Sequence, residues 1–307
     1  MTTAEPVVYI NGEIVPFSQA TVSISDRGFI LGDAVFDTTR TFGHRIFKLQ
    51  EHLDRLYESL KYMRIDPGMS KEEMSNWTIR ILDNNIELVD ANEDIWVTQR
   101  VTRGSRVAGA DIQGSSSKAT VIIETFPIPF KERANYYTDG IPIVTPAIRR
   151  TPPDSVSPRA KTHNYINLIL ADMEARVHDP HAYAILLDAN GNLCEGNGSN
   201  IFLVKDGCVV TPKSQYVLGG ISRETTIELA NEIGIDVQEA DVDVFDAYTA
   251  DELFITSTSF CICPVSTLNG ATIGTGETPG PVTDRLQKAY SGLVGIDVVD
   301  QYTMWLK

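Results

Sequence analysis

Lys161 stands in SPRAKTHNYINLILADMEAR, five residues ahead of a run that carries Ile166, Leu168, Ile169, Leu170 and Met173. Asn167, Asp172 and Glu174 interrupt that run, so from Asn164 onward the segment reads as a helix largely covered by protein. A lysine at such a helix start meets an unfavourable dipole, and Arg149, Arg150 and Arg159 precede it closely. Burial and neighbouring cations favour the neutral amine, which is a nucleophile. The competing reading of the basic cluster is an anion site, and the commonest reading of a single lysine is a solvated side chain.

Four further stretches carry chemistry. Glu195 lies in NLCEGNGSN, a turn rich in Gly and Asn ahead of an apolar strand. In LGGISRETTIELA, two glycines and Ser222 lead into a helix, an arrangement that aims backbone N–H groups and a hydroxyl at an anion or else serves as a plain Ser cap. In FITSTSFCICPV, Thr256, Ser257, Thr258 and Ser259 follow a strand and offer either phosphate donors or an ordinary turn. Arg55 sits in LQEHLDRLYESL on a helix whose other side is apolar. A nucleophilic lysine, a carboxylate, an arginine and two donor-rich turns are together the parts that pyridoxal 5'-phosphate needs: an amine for its aldehyde, an acid for its pyridine nitrogen, and fixed donors for its phosphate.

The elements that must position these residues follow the hydrophobic pattern. VVYINGEIV reads as a hairpin around Asn-Gly, HRIFKLQEHLDRLYESLKYM as a strand then a helix with Leu53, Leu56, Leu60 and Met63 on its apolar side, and SKEEMSNWTIRILDNN as a second helix capped by Ser70. DIWVTQRVTRG and KATVIIETFPI complete an α/β unit. TFPIPFKERANYYTDG, with two prolines, marks a change of pattern. The expected layout is a small domain over 1–126, a linker over 127–134 and a large domain over 135–307, with mixed strands and helices in the second half and no repeat of fixed period.

Length and composition bound the class. A chain of 307 residues with 42% apolar and 22% charged residues suits a globular protein of two domains. A net charge of −15 argues against general affinity for nucleic acid or anionic membranes. The start MTTAEPVVYINGE lacks a signal-peptide pattern and no long apolar run follows, so a cytoplasmic location is expected. Cys194, Cys208, Cys261 and Cys263 show no paired C-x-x-C spacing, and no metal site is expected.

Over nearly its whole length the chain resembles the class IV pyridoxal-phosphate aminotransferases, which include branched-chain, D-amino acid and (R)-selective amine transaminases. The resemblance rests on DRGFILGDAVFDTTR, FKLQEHLDRL, VTRG, AKTHNYINLILADMEA, EGNGSNIFLV, LGGISRETTIELA and DELFITSTSFCICPV, in that order. It implies an α+β or α/β fold of two domains, with a small N-terminal α/β domain, a larger C-terminal domain with a barrel-like β core, the cofactor between them and a homodimer. It implies Lys161 as the Schiff-base lysine, Glu195 on the pyridine nitrogen, Tyr165 near the ring oxygen and Leu218 on the ring face. Arg55, Ile221, Ser222, Ser257 and Thr258 would hold the phosphate, and Phe36, Arg40 and Arg103 would meet the substrate, the two arginines as candidates for its carboxylate. Thr38 stands where branched-chain enzymes carry a glycine, Val101 stands where their later strand has a tyrosine, and Ser105 stands where D-amino acid enzymes place a histidine. RRTPPDSVSP is similar to the (R)-amine enzymes. The expected activity is transfer of an amino group from a D-amino acid or (R)-amine to a keto acid, with a branched-chain L-amino acid transaminase as the alternative and aminodeoxychorismate lyase behind it.

Overall fold

A computed structural model describes residues 5–106 and 118–306. The chain divides into two compact units, Met1–Ile128 with Ala160–Asn164, and Pro129–Arg159 with Tyr165–Lys307.

The first unit opens on the hairpin β1 (Val7–Ile10) and β2 (Glu13–Pro16), turned by Asn11 and Gly12 at φ 52° and 103°. Asn-Gly tolerates two successive positive φ angles, and the turn's twist matches that of the strands it joins. There follow α1 (Arg27–Leu31), β3 (Ala34–Phe42), β4 (Arg45–Ile46), α2 (Leu49–Met63), α3 (Lys71–Asn85), β5 (Ile95–Thr102) and β6 (Thr120–Pro127). The strands form one antiparallel sheet in the order β2-β1-β6-β5-β3-β4. Leu53, Leu56 and Leu60 of α2 and Met74 and Ile81 of α3 bury against Val35, Val97, Val101 and Ile123. Ser70 closes the start of α3 in a capping box with Glu73. Because side chains alternate along a strand, Phe36, Arg100 and Glu124 fall on the sheet face away from these helices.

The second unit contains α4 (Phe130–Arg133), β7 (Ile141–Val144), α5 (Ile166–His178), β8 (Tyr183–Leu187), β9 (Leu193–Gly196), β10 (Ser199–Lys205), β11 (Cys208–Pro212), α6 (Ile221–Glu232), β12 (Val237–Ala240), α7 (Val244–Tyr248), β13 (Glu252–Ser257), β14 (Cys261–Leu268), β15 (Ala271–Thr272), α8 (Pro281–Val294) and α9 (Val298–Thr303). Its sheet runs β12-β11-β10-β13-β14-β7-β8-β9, with β15 on β14. β9 also pairs with β10, so the strands β10, β13, β14, β7, β8 and β9 close into a barrel-like ring. Closure leaves no bare edge inside the ring and fixes the register of both turns that carry polar donors. Phe202 and Phe254 stack in its core with ring centroids 4.9 Å apart.

Two sequence expectations change here. Ala160–Asn164, assigned by sequence to the large domain, groups with the first unit because its backbone pairs with β3: Phe36 N–H donates to Lys161 O, and His163 N–H donates to Ala34 O. Lys161 therefore lies on an extended strip ahead of α5, and the helix-dipole argument does not apply to it. α5 is also one-sided. Leu168, Ala171 and Ala175 bury beside β8, whereas Ile166, Ile169, Leu170, Met173 and Val177 are exposed, because the small alanines seat only one face of the helix. No helix among the described residues is long and apolar enough to cross a membrane, and no group of three or more potential metal ligands occurs among them.

Candidate active site

The first unit holds the lysine and a charged cluster around it. The Lys161 backbone N–H donates to Ser59 Oγ of α2 at 3.1 Å, and its Nζ stands 4.6 Å from the Phe36 ring centroid. One turn before Ser59 on α2, Arg55 is buried and grips Asp37 with Nε at 2.8 Å and Nη2 at 2.7 Å. His52 Nδ1 lies 2.7 Å from the same carboxylate. Burial pushes the Asp37 carboxyl up, but Arg55 and His52 outweigh it and hold the group well below the usual carboxylate range. Burial lowers the His52 pKa, and the Arg55 and Lys161 cations add to that against the pull of Asp37. The first unit thus fixes a guanidinium by spending one buried carboxylate on it.

The second unit holds the carboxylate and the donor-rich turns. Glu195, on β9, is 5% exposed and accepts from Arg150 Nε at 2.8 Å, from the Leu218 N–H at 2.9 Å and from Asn200 Nδ2 at 3.5 Å. Asn200 Nδ2 also donates to Leu218 O, which ties the approach to α6 onto β10. A Cβ at Gly220 would meet Asn200 Oδ1, so any larger residue there would displace the Asn200 amide from these bonds. Gly220 caps α6, whose own ladder begins with the Glu224 N–H on Gly220 O, so the N–H groups of Ile221 and Ser222 lie outside it. Ser222 is a residue of the first helical turn rather than the cap. Its Oγ donates to Ser257 O at 2.9 Å, which joins the start of α6 to the turn after β13 where Thr258 lies. Tyr165 is the residue immediately before α5.

The substrate arginines proposed from the sequence are engaged elsewhere. Arg40 is 1% exposed; it donates through Nε to Thr41 O, and its Nη2 lies 3.7 Å from Asp94. Arg103 forks onto Asp33 and donates to the Met63 and Arg64 carbonyls. Phe36 does lie beside Lys161. Sequence reading missed Asp37, His52 and Arg150 as the partners that hold Arg55 and Glu195. Arg149 and Arg159 are exposed, so of the three arginines thought to act on Lys161, Arg150 serves the carboxylate instead.

Comparison with known proteins decides what kind of machinery this is. The family pattern described as Amino-transferase class IV matches residues 34–268. The chain belongs to the class IV aminotransferases. It is 38% identical over 299 residues to a putative branched-chain-amino-acid aminotransferase of Methanocaldococcus jannaschii, covering 96% of this chain and 99% of that one. It is 32% identical over 313 residues to the branched-chain-amino-acid aminotransferase of Escherichia coli K12, covering 100% and 98%. The crystal structure of an E. coli branched-chain amino acid aminotransferase superposes with a TM-score of 0.86 at 31% identity, covering 94% and 95%. The crystal structure of a T.th. branched-chain amino acid aminotransferase with pyridoxamine 5'-phosphate gives 0.84 at 28%, covering 98% and 97%. This class IV aminotransferase therefore carries its family's fold across both units.

Proposed function

We propose that this aminotransferase acts on branched-chain L-amino acids, with a keto acid as acceptor. Its full-length likeness to branched-chain enzymes carries the reading. A preference for D-amino acids or (R)-amines is the second reading, supported by Thr38, whose Oγ1 lies 2.9 Å from Thr98 Oγ1 where branched-chain enzymes carry a glycine.

The cofactor of the class is pyridoxal 5'-phosphate, and the residues present fit it. When bound, its ring takes up the electron pair left on the substrate's α-carbon as the proton departs. Lys161 would hold the cofactor through its amine, and the same amine would move the α-proton. Glu195 holds a proton at the pyridine nitrogen, and its buried bonds to Arg150 and Leu218 keep it aimed. Arg55, the α6 N–H groups, Ser222 and the Ser257–Thr258 turn bind phosphate, the first by charge and the rest by fixed dipoles. Leu218 and Tyr165 orient the ring.

A homodimer belongs to the same reading, supported by the exposed row Ile166, Ile169, Leu170, Met173 and Val177 along α5. Light scattering that finds a monomer at micromolar concentration would remove it. The substrate reading is tested by half-reactions of the yellow holoenzyme with L-leucine, D-alanine and (R)-1-phenylethylamine. L-Leucine is expected to bleach the cofactor fastest, and faster bleaching by either other donor overturns the assignment. Pyruvate formed from aminodeoxychorismate without a keto acid would point to the lyase.

A further inference from the structure

The turn that joins β13 to β14 holds Thr258, and three side chains from elsewhere in the second unit grip its next two residues. Tyr302 of α9 donates its hydroxyl to Ser259 O, and Tyr137 donates to Phe260 O at 2.5 Å. Arg133, at the end of α4, donates through Nη1 to Ser259 Oγ at 2.6 Å, and its Cζ lies 4.6 Å from the Phe260 ring centroid. Cys261, where β14 begins, is buried at φ 56°, a left-handed conformation that a residue other than glycine keeps only under restraint from its surroundings. The hydroxyls within the turn are joined in a row. Ser259 Oγ stands 3.4 Å from Ser257 Oγ, which accepts the Phe260 N–H at 3.0 Å, while Ser257 O accepts from Ser222 Oγ at the start of α6.

We infer that Arg133 is a positioning residue for the cofactor's phosphate, acting through Ser259 and Ser257 rather than by touching the phosphate. The inference rests on the reading of the Ser257–Thr258 turn as a phosphate site. The order of donors follows from what each atom can do. A guanidinium has no acceptor, so the bond from Arg133 fills a lone pair of Ser259 Oγ and turns that hydroxyl's proton away from the cation. Ser257 Oγ takes that proton. With one lone pair on Ser259 and the other on the Phe260 N–H, Ser257 Oγ has its own proton left to give to an anion. Each bond in such a row polarises the next, and the bond at its head is charge-assisted, so part of the Arg133 charge reaches the anion without direct contact. Packing limits the screening of that charge: the Phe260 ring beneath the guanidinium is buried and meets Tyr136 and Tyr183 edge-on at 6.2 and 5.7 Å. Tyr183 reports the same surroundings, since burial pushes its hydroxyl up to about 12 while the Arg133 cation pulls it down.

The test titrates the full-length protein, freed of cofactor, with pyridoxal 5'-phosphate and with pyridoxal, which lacks the phosphate, and follows cofactor absorbance, with melting curves to confirm folding. In Arg133→Met, affinity for pyridoxal 5'-phosphate is expected to fall about 3- to 10-fold while affinity for pyridoxal stays unchanged. Arg133→Lys keeps a donor and the charge and should recover part of that loss. Ser259→Ala should reproduce the loss, and joining it to Arg133→Met should cost nothing further, because both changes cut one row of bonds. Should Arg133→Met fail to fold, Arg133→Lys and Ser259→Ala carry the same comparison of the two ligands. Equal losses for both ligands overturn the inference and leave Arg133 a packing residue, and additive losses in the double variant overturn it as well. Unchanged affinity for pyridoxal 5'-phosphate in Arg133→Met, when the wild type prefers it to pyridoxal, overturns the inference and leaves the phosphate reading standing. A wild type that binds pyridoxal as tightly as pyridoxal 5'-phosphate removes the phosphate reading and the inference together.

Discussion

The residues proposed for the cofactor are held by different physical means in the two units. In the first, every functional group is a long side chain that another charge or a strand must hold: Asp37 fixes Arg55, and pairing with β3 fixes the strip that carries Lys161. In the second, most of the machinery is backbone, held by a closed ring of strands and by short side chains such as Asn200 and Ser222. Chemistry that needs a particular proton or nucleophile concentrates risk in single residues. Charge recognition by several fixed dipoles spreads it.

If that contrast holds, the largest effect falls on Lys161. Lys161→Ala is expected to lose turnover by at least about 10³-fold, and borohydride should no longer fix the cofactor on the peptide that contains position 161. A reducible cofactor still attached to the variant would move the nucleophile elsewhere.

Glu195 is the exception within the second unit, since it is a single charge. Glu195→Gln is expected to cut turnover about 10²- to 10³-fold. It also strands Arg150, at a cost of about 3 kcal/mol in stability. Pairing it with Arg150→Met should restore the melting temperature and not the rate. Recovery of both would show that Glu195 acts through packing alone.

A smaller effect should separate Arg55 from the residue that holds it. Arg55→Ala should weaken cofactor binding about 10- to 100-fold by removing a charge-assisted bond. Asp37→Asn should weaken it less, because the guanidinium stays but loses its fixed pose. Equilibrium titration of the cofactor measures both, and a larger loss in Asp37→Asn would reverse their roles.

Acid should find the same asymmetry. Asp37 is depressed in the fold, so its contribution is present above the ordinary carboxylate range and lost as pH falls below it. His163 is depressed from 6.5 to about 4, so the unfolded chain takes up a proton across that window and stability falls as pH drops through it. His52 acts with the same sign. The strongly shifted groups of the second unit, Tyr183, Cys194 and Cys263, are raised to about 12 or beyond and do not respond there. Hydrogen exchange at pH 5 against pH 7 should therefore show amides of α2 and β3 losing protection ahead of those of β10 and β13. Equal losses would remove the distinction.

The smallest change expected is Ser222→Ala, which deletes one hydroxyl bond to Ser257 O among several donors and should weaken cofactor binding only severalfold.

The sequence carried the hairpin, the helices α2 and α3 and the capping box, because those depend on local pattern, and it carried the family through the order of its motifs. Pairing across long separations was not legible. Asp37 and Arg55 are eighteen residues apart and Arg150 and Glu195 forty-five, and neither pair has a periodic signature. Within one chain α5 buries one face only, because an apolar run says nothing of what lies on each side of it.

The five residues Ala160–Asn164 also constrain how this protein can be taken apart. A fragment severed after Ile128 would keep the whole antiparallel sheet and both long helices yet possess no lysine at position 161, and part of β3 would be left as an unpaired edge open to association with other chains. The complementary fragment would own that lysine without the strand that sets its direction. Neither half inherits the lysine together with its mount, so an expression strategy that divides the gene at its apparent boundary separates Lys161 from the strand that holds it.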